Sequence, residues 1–201
     1  MSVEITVKGE KLLLLPERAV YWPRTGTLFI ADMHLSDEAA MPDLLRLTGA
    51  LMQTGAQQII ILGDMVDRGT GYSEMIRQLF TRWRPPDLKI TLVRGDSEHH
   101  HGDPPQAWRV RCVDGPTPGP LFVLQHAPEP TQSPDAFSLA GQMHPTVAGD
   151  DGAQYPAFII HDNIAIVPAY GTSVPGTVYT PQPGERVYMV VDHKLTPATR
   201  S

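Results

Sequence analysis

Short apolar runs alternate with longer amphipathic stretches in the first half of this sequence. Apolar runs at residues 27–31, 58–62 and 88–93 predict strands buried on both faces, as in parallel sheets. Residues 37–53 and 72–83 separate these runs and carry apolar residues at helical spacing, which predicts two crossover helices. Strand–helix–strand units of this kind pair their strands in parallel. The apolar positions expected to face the core of these helices are Leu44, Leu45, Leu47, Leu51 and Met52 in the first, and Met75, Ile76, Leu79 and Phe80 in the second.

Alternating apolar and polar residues elsewhere predict antiparallel strands. Residues 3–7 and 11–15 predict a hairpin, and residues 155–161 and 164–167 predict another over Asp162 and Asn163. Other predicted strands are residues 19–22, 107–113, 121–124 and 186–191, and a proline-rich loop is predicted at 127–138. Neither a repeat nor an internal boundary interrupts the pattern, so we expect one domain over residues 1–201.

Composition narrows the functional classes. The net charge of −6 and the sequence pI of about 5.7 argue against a general nucleic-acid coat or a binder of anionic membranes. The single cysteine, Cys112, fits a reducing, cytoplasmic setting. The apolar run at residues 12–15 is too short to span a bilayer, and the first ten residues show no secretory signal, so we expect a cytoplasmic protein without a membrane segment.

Polar residues follow the predicted strands at the positions where parallel sheets place their chemistry. Asp32 and His34 follow the first run, Gly63 and Asp64 the second, and Gly95 and Asp96 the third. Residues two apart in an extended segment point the same way, so Asp32 and His34 can reach one metal ion. Taken alone, Asp64 is more typical of a turn or a helix N-cap than of a metal ligand. Repetition of the pattern, with His126, Gln142 and His144 further along, favours metal ligands.

These motifs and their order resemble the calcineurin-like metallophosphoesterase superfamily. Its pattern is Asp-x-His, Gly-Asp, Gly-Asn-His-Asp/Glu, a single His, and Gly-His-x-His. The short chain, the Gly-x-x-His-Pro at residues 141–145 and the segment 168–171 are similar to the ligase-associated DNA-processing phosphoesterases. Residues 63–69 also resemble the Gly-Asp-x-Val-Asp-Arg-Gly motif of protein serine/threonine phosphatases.

The resemblance implies a four-layer αββα sandwich of two mixed sheets flanked by helices, with two divalent metal ions at one end. The first ion would be bound by Asp32, His34, Asp64 and His144, and the second by Asp64, Asp96, His126 and Gln142. Three positions depart from the family pattern: Asp96 replaces Asn, Gln142 replaces His, and Ser97 replaces the His that acts as general acid.

The departures change the expected chemistry. Asp96 suits a hard cation, whereas the neutral amide of Gln142 is a poor ligand for zinc or iron, so manganese is the expected ion and the second site is expected to be weak. Magnesium, iron and zinc are the alternatives. Loss of a general acid typically costs roughly 10²–10⁴ in rate, and His99, His100 or His101 is a candidate replacement.

Four further polar residues near the motifs have open roles. Arg68 and Arg94 are candidate catalytic residues that would hold the phosphate beside Asp64 and Asp96, with surface ion pairs as the alternative. Asp67 is expected to cap a helix or orient a ligand, and Glu98 to pair with an arginine or histidine.

Three hypotheses of function follow. The first is an active phosphodiesterase that cleaves nucleic acid or a nucleotide by attack of a metal-bound hydroxide on phosphorus. The second is a degenerate relative that binds metal or a phosphate ligand with little turnover. The third, a scaffold without metal, is disfavoured because three crowded carboxylates need a cation. The resemblance makes DNA-ligase-associated repair proteins candidate partners, and an exposed sheet edge would permit a homodimer.

Overall fold

A computed structural model describes residues 1–119, 121–129 and 135–198, and within them the chain forms two β-sheets and three α-helices. The helices are α1 (Ala40–Thr54), α2 (Glu74–Trp83) and α3 (Asp96–His101). The strands are β1 (Val3–Val7), β2 (Glu10–Leu15), β3 (Ala19–Trp22), β4 (Thr27–Ala31), β5 (Gln58–Leu62), β6 (Lys89–Val93), β7 (Val110–Val113), β8 (Thr117–Pro118), β9 (Phe122–Leu124), β10 (Phe137–Ala140), β11 (Pro145–Ala148), β12 (Gln154–His161), β13 (Ile164–Ile166), β14 (Thr177–Val178), β15 (Arg186–Val191) and β16 (Lys194–Pro197).

The first sheet places its strands in sequence order from β1 to β7. Strands β1 to β4 are antiparallel, and β4 to β7 are parallel, as the predicted strand–helix–strand units require. Ala31, Leu62 and Val93 are paired across β4, β5 and β6, so these strands end level with one another. The polar residues that follow them therefore begin at the same edge of the sheet.

The second sheet is mixed and runs β14-β11-β12-β13-β10-β9-β8, with β15 also paired to β12 and β16 to β15. Its inner face packs on the first sheet, where aromatic side chains from both sheets meet. Trp22 and Phe122 pack edge to face with ring centroids 5.0 Å apart, and Phe29 and Phe158 lie in the same buried cluster. This core between the sheets fixes the position of the loops at their common end.

The predicted α/β sandwich of two mixed sheets is confirmed. Helices α1 and α2 cover the outer face of the first sheet, with Leu44, Leu47, Ile76 and Phe80 in its core. All the α-helices in the described residues precede Gly102, so the outer face of the second sheet has no helical layer there. Hairpins and loops rich in proline and glycine connect its strands, and such connections do not form crossover helices. None of the described helices is long and apolar enough to cross a membrane.

Several local predictions were wrong. Leu45, Met52 and Met75 were expected in the core but are 63%, 81% and 48% exposed. The face of each helix that packs on the sheet is narrower than the row of apolar residues at helical spacing in the sequence. Residues 96–101 form α3 rather than a loop, and β8, β10, β11, β14 and β16 were not predicted. The predicted loop at 127–138 includes residues 130–134, which lie outside the described residues.

Candidate metal centre

The loops that follow β4 and β5 run side by side, which brings the first three predicted ligands together. The amide of His34 donates to the carbonyl oxygen of Asp64 at 2.9 Å, and the amide of Leu35 donates to that of Met65 at 3.0 Å. Asp32 and Asp64 lie directly after the paired strand ends, and both are buried. Backbone pairing beyond the sheet edge therefore places two carboxylates and one imidazole at one point.

Two clusters of ligand atoms lie next to each other at this edge. Asp32, His34 and His144 form one, and Asp32, Asp64 and His126 form the other, with the ligand atoms of each cluster within 4.8 Å of one another. Asp64 connects the two, because its Oδ2 lies 3.6 Å from Nε2 of His34 and its Oδ1 lies 3.6 Å from Nε2 of His126. Asp32 belongs to both clusters. From the sequence, only Asp64 was predicted to contact both metal ions.

The buried polar atoms of the clusters fit a cation. Asp32 Oδ1, His34 Nε2, His126 Nε2 and His144 Nε2 are buried and have no hydrogen-bond partner within the described part of the chain. Leaving such atoms unsatisfied costs about 1–3 kcal/mol each. Divalent cations that accept both imidazole and carboxylate ligands would satisfy all of them.

Hydrogen bonding fixes the orientation of the His126 ring. Its Nδ1 lies 3.1 Å from the carbonyl oxygen of Leu62, to which an Nδ1–H group would donate. That tautomer leaves the lone pair of Nε2 directed towards Asp64 and free for a metal ion. A backbone carbonyl in this position is a common way to orient a metal-binding imidazole.

The charges of the cluster perturb the pKa values of its members. Burial opposes the charge of His126, but the approach of its Nδ1 to Oδ1 of Asp32 at 3.2 Å, the charge of Asp64 and the hydrogen bond to Leu62 raise its pKa to about 9. Burial opposes the charge of Asp32 as well, and the imidazoles of His126 and His144 outweigh it and lower its pKa. Burial lowers the pKa of His34, which favours its neutral imidazole. In the metal-free protein His126 therefore carries a proton that a metal ion must displace.

The ligand backbone is not extended, although the sequence analysis assumed that it was. Asp32, His34, Asp64, Gln142 and His144 have φ angles of 51°, 41°, 46°, 62° and 46°, all in the left-handed region. This conformation costs about 1–3 kcal/mol for a residue other than glycine. Asp32 and His34 do meet, as predicted, but through two left-handed turns. Such strain concentrates where function requires a particular geometry.

Glycines allow the close approach of these loops. A Cβ atom on Gly63, whose φ is 87°, would collide with the imidazole of His126. A Cβ atom on Gly141 would lie 2.6 Å from Oδ2 of Asp32. Both residues therefore must be glycine for the observed ligand positions, Gly63 also because of its backbone angle.

The sequence did not lead us to predict that Glu98 anchors the loop that carries Asp64. This carboxylate is buried and, instead of pairing with arginine or histidine, accepts hydrogen bonds from the amides of Asp64, Met65 and Gly95 at 3.1, 2.9 and 2.9 Å. The hydroxyl of Ser97 donates to it at 2.9 Å. Glu98 thus fixes the loop that carries Asp64. The spacing of Glu98 three residues after Gly95 is a helix-capping signal that the sequence already contained.

Ser97 cannot replace the missing general acid in this arrangement. Its side chain is fully buried and directed to Glu98, while its amide donates to Oδ1 of Asp64 at 2.8 Å. Both of its donors therefore support other residues of the site.

Asp96 and Gln142 lie at the margin of the centre. Asp96 is exposed, and the Nε2 amide of Gln142 is 3.4 Å from its Oδ2. The backbone amide of Gln142 donates to Oδ2 of Asp32 at 2.8 Å. Gln142 thus supports Asp32 through its backbone, and the side chains of Gln142 and Asp96 are paired with each other.

The candidate phosphate-binding arginines occupy different surroundings. Arg94 makes a two-bonded ion pair with Asp103, at 2.7 and 2.8 Å, and a further bond of 2.9 Å to Asp114. The hydrogen bonds to these carboxylates raise its pKa. Arg94 nevertheless lines a surface cleft together with Asp96. Arg68 is exposed, and Asp67 accepts hydrogen bonds from the amides that follow it, at residues 69 and 70.

The three consecutive histidines of α3 differ in position. His99 lines the cleft with Arg94, Asp96, His126 and Gln142. The Nε2 atom of His101 lies 2.8 Å from the carbonyl oxygen of Arg68, which fixes its ring away from that cleft. His99 is therefore the one of the three that the fold places beside the predicted ligands.

Comparisons with known proteins identify the family and a similar solved structure. A family model described as calcineurin-like phosphoesterase matches residues 26–139. No curated protein matches the sequence at a significant level. The crystal structure of Pseudomonas putida nuclease MPE is 30% identical, covers 98% of this chain and 100% of its own, and superposes with a TM-score of 0.90. This similarity over nearly the whole chain supports the predicted resemblance to ligase-associated phosphoesterases. The chain belongs to the calcineurin-like phosphoesterase family.

Proposed function

We propose that the protein is a metal-dependent phosphodiesterase that cleaves nucleic acid or a nucleotide. The observation that carries the proposal is the pair of adjacent ligand clusters, which share Asp32 and contain four buried ligand atoms without hydrogen-bond partners. The similarity to a nuclease over the whole chain supports a phosphodiester of nucleic acid as the substrate. The subgroup resemblance favours a role in DNA repair, and the single cysteine favours a cytoplasmic setting.

Divalent cations, for which manganese is our first choice, would supply an activated water and neutralise charge on the phosphate oxygens. The residues that would hold them are Asp32, His34, Asp64 and His144 on one side, and Asp64, Asp96, His126 and Gln142 on the other. Glu98 and the carbonyl oxygen of Leu62 keep Asp64 and His126 oriented for this purpose.

The reaction also requires a proton for the leaving oxygen. The attacking water loses a proton to solvent as its oxygen bonds to phosphorus, the bond from phosphorus to the leaving oxygen breaks, and the departing alkoxide takes up a proton. We propose His99 as its donor, because it lines the cleft beside the predicted ligands. Arg94, in the same cleft, and Arg68 are proposed to contact the phosphate.

A degenerate, ligand-binding relative is the second candidate function. Two observations favour it: Ser97 is directed to Glu98, and the side chain of Gln142 is bonded to Asp96. On this view metal binds in the cluster of Asp32, His34 and His144, and turnover is very low.

Hydrolysis of bis(p-nitrophenyl) phosphate with added Mn²⁺ distinguishes the two functions. This ester has a stable leaving group and tests the metal centre without a general acid. We expect Mn²⁺-dependent turnover in the wild type and its loss in Asp64→Ala, with His161→Ala, an exposed histidine elsewhere, as the matched control. Wild-type turnover no higher than that of Asp64→Ala, in protein shown to contain metal, contradicts the phosphodiesterase proposal.

A further inference from the structure

A second cleft borders the metal centre at His144 and shares no lining residue with the cleft that contains His99. It has a volume of about 330 Å³ and is lined by the metal-ligand candidate His144, by Arg18, and by Thr146, Gln154 and Thr172 among others. This volume lies at the lower end of the range of small-ligand clefts, roughly 300–1,000 Å³. The cleft therefore continues directly from the proposed reaction centre.

The charge of this cleft is unlike that of the rest of the molecule. The chain has a net charge of −6, yet none of the described residues that line the cleft is Asp or Glu. Its polar lining consists of one guanidinium, hydroxyl groups, an amide and an imidazole. These groups are donors to an anion, and the prolines and valines that complete the lining offer apolar surface.

The fold places Arg18 at this position. Strand β3 is antiparallel to β4, with Val20 paired to Phe29, so the turn before β3 reaches the edge where β4 ends at Ala31, next to Asp32. Arg18 has a φ of 62° in that turn. Its Nη1 donates to the carbonyl oxygens of Ala169 and Gly171 at 3.3 and 3.2 Å. These two bonds hold the Arg18 guanidinium at the cleft that it lines.

The positive charge of Arg18 is poorly compensated by the protein. Within the described residues no carboxylate forms an ion pair with it, and the nearby Asp43 is already paired with Arg46 at 3.1 Å. Burial and the charge of Arg46 lower the pKa of the Arg18 guanidinium. A partly buried arginine without a carboxylate partner is suited to bind a phosphate, because its planar donors match phosphate oxygens.

We propose that Arg18 and this cleft bind the phosphate next to the one that is cleaved. This inference rests on the proposed phosphodiesterase function and adds a substrate-binding site to it. A strand would lie across the metal centre, with one phosphate at the metal ligands and the adjoining nucleotide between Arg18 and the apolar lining.

The test compares two substrates in three variants. We measure kcat/KM for a single-stranded oligonucleotide of ten thymidines and for bis(p-nitrophenyl) phosphate, which has no adjoining phosphate. The variants are Arg18→Gln, Arg18→Lys and the control Arg24→Gln. Arg24 lies at the opposite end of β3, where it is exposed and paired with Glu10. The ratio of the two kcat/KM values cancels any change in the metal centre itself.

We expect Arg18→Gln to lower the ratio of oligonucleotide to small-ester kcat/KM about tenfold or more, since one charge-assisted phosphate contact is lost. The slope of log kcat/KM against log salt for the oligonucleotide should become shallower by about 0.7, the value for one phosphate contact on a single strand. Arg18→Lys should retain the slope, and Arg24→Gln should change neither quantity. An unchanged ratio, or an equal loss on both esters with an unchanged slope, overturns the inference and leaves Arg18 as a support for residues 169–171.

Failure of the phosphodiesterase proposal can be distinguished from failure of the Arg18 proposal. Wild-type protein that cleaves neither substrate contradicts the phosphodiesterase proposal, and the same variants are then compared by fluorescence anisotropy with a labelled oligonucleotide of ten thymidines. The same difference in Kd and salt slope between wild type and Arg18→Gln supports the cleft, and equal binding or none overturns it.

Discussion

The protonation of His126 makes a quantitative prediction about metal binding. In the metal-free protein its pKa is about 9, because the attraction of Asp32 and Asp64 exceeds the effect of burial. A metal ion binds neutral imidazole, so binding must release this proton. Between pH 7 and pH 8 the fraction of neutral His126 rises about ninefold, and the apparent affinity for Mn²⁺ should rise by about the same factor.

The stability of the metal-free protein should change in the opposite direction. A folded-state pKa raised above the ordinary 6.5 stabilises the folded protein fully below pH 6.5, and this contribution is lost as the pH rises through about 9. The side chain is only 7% exposed, so the shift corresponds to about 3 kcal/mol in total and about 1 kcal/mol between pH 7 and pH 8.

Two measurements check this reasoning. Calorimetric titration with Mn²⁺ in buffers of different ionisation enthalpy gives the affinity and the number of protons released, and urea unfolding of the metal-free protein gives the stability. The His161→Asn variant, altered at an exposed histidine, should behave as the wild type does. Mn²⁺ affinities within twofold of each other at pH 7 and pH 8, or unfolding free energies that do not fall between these pH values, would refute the assignment of a proton to His126.

Three further predictions concern other residues of the centre. Gly63→Ala should abolish tight metal binding and lower the free energy of unfolding by about 2 kcal/mol or more, because the new methyl group would collide with His126 and φ is positive; metal titration and urea unfolding measure both effects. Glu98→Gln should destabilise the protein by about 1–3 kcal/mol and reduce activity, since one of its two acceptor oxygens becomes an amide that faces backbone donors; retention of full stability in urea unfolding would contradict the proposed anchor. His99→Asn should reduce hydrolysis of an alkyl diester about 10²-fold or more and that of a p-nitrophenyl ester much less, whereas His100→Asn should affect neither; equal losses on the two esters would exclude His99 as the acid.

The sequence by itself determined the parallel strands and the family, and it predicted Asp32, His34 and Asp64 as ligands of the candidate centre. Buried parallel strands require continuous apolar runs, so β4 and β5 were predicted with the bounds that the structure gives them. Polar residues at the ends of such strands stand out against their apolar neighbours, and Asp32, His34 and Asp64 were found in this way. Each of these patterns involves residues that are close together in the chain, so the sequence alone is enough to recognise it.

Other features depended on the tertiary structure. Left-handed turns at the ligands, the sharing of Asp32 by both clusters and the burial of Glu98 arise where separate loops pack together. The exposure of Leu45 and Met52 likewise depends on which part of the helix the sheet covers. Arg18 had no signal in the sequence, because its position at the centre follows from the antiparallel return of β3 beside β4. Contacts between residues far apart in the chain decide these features, and composition and periodicity do not specify such contacts.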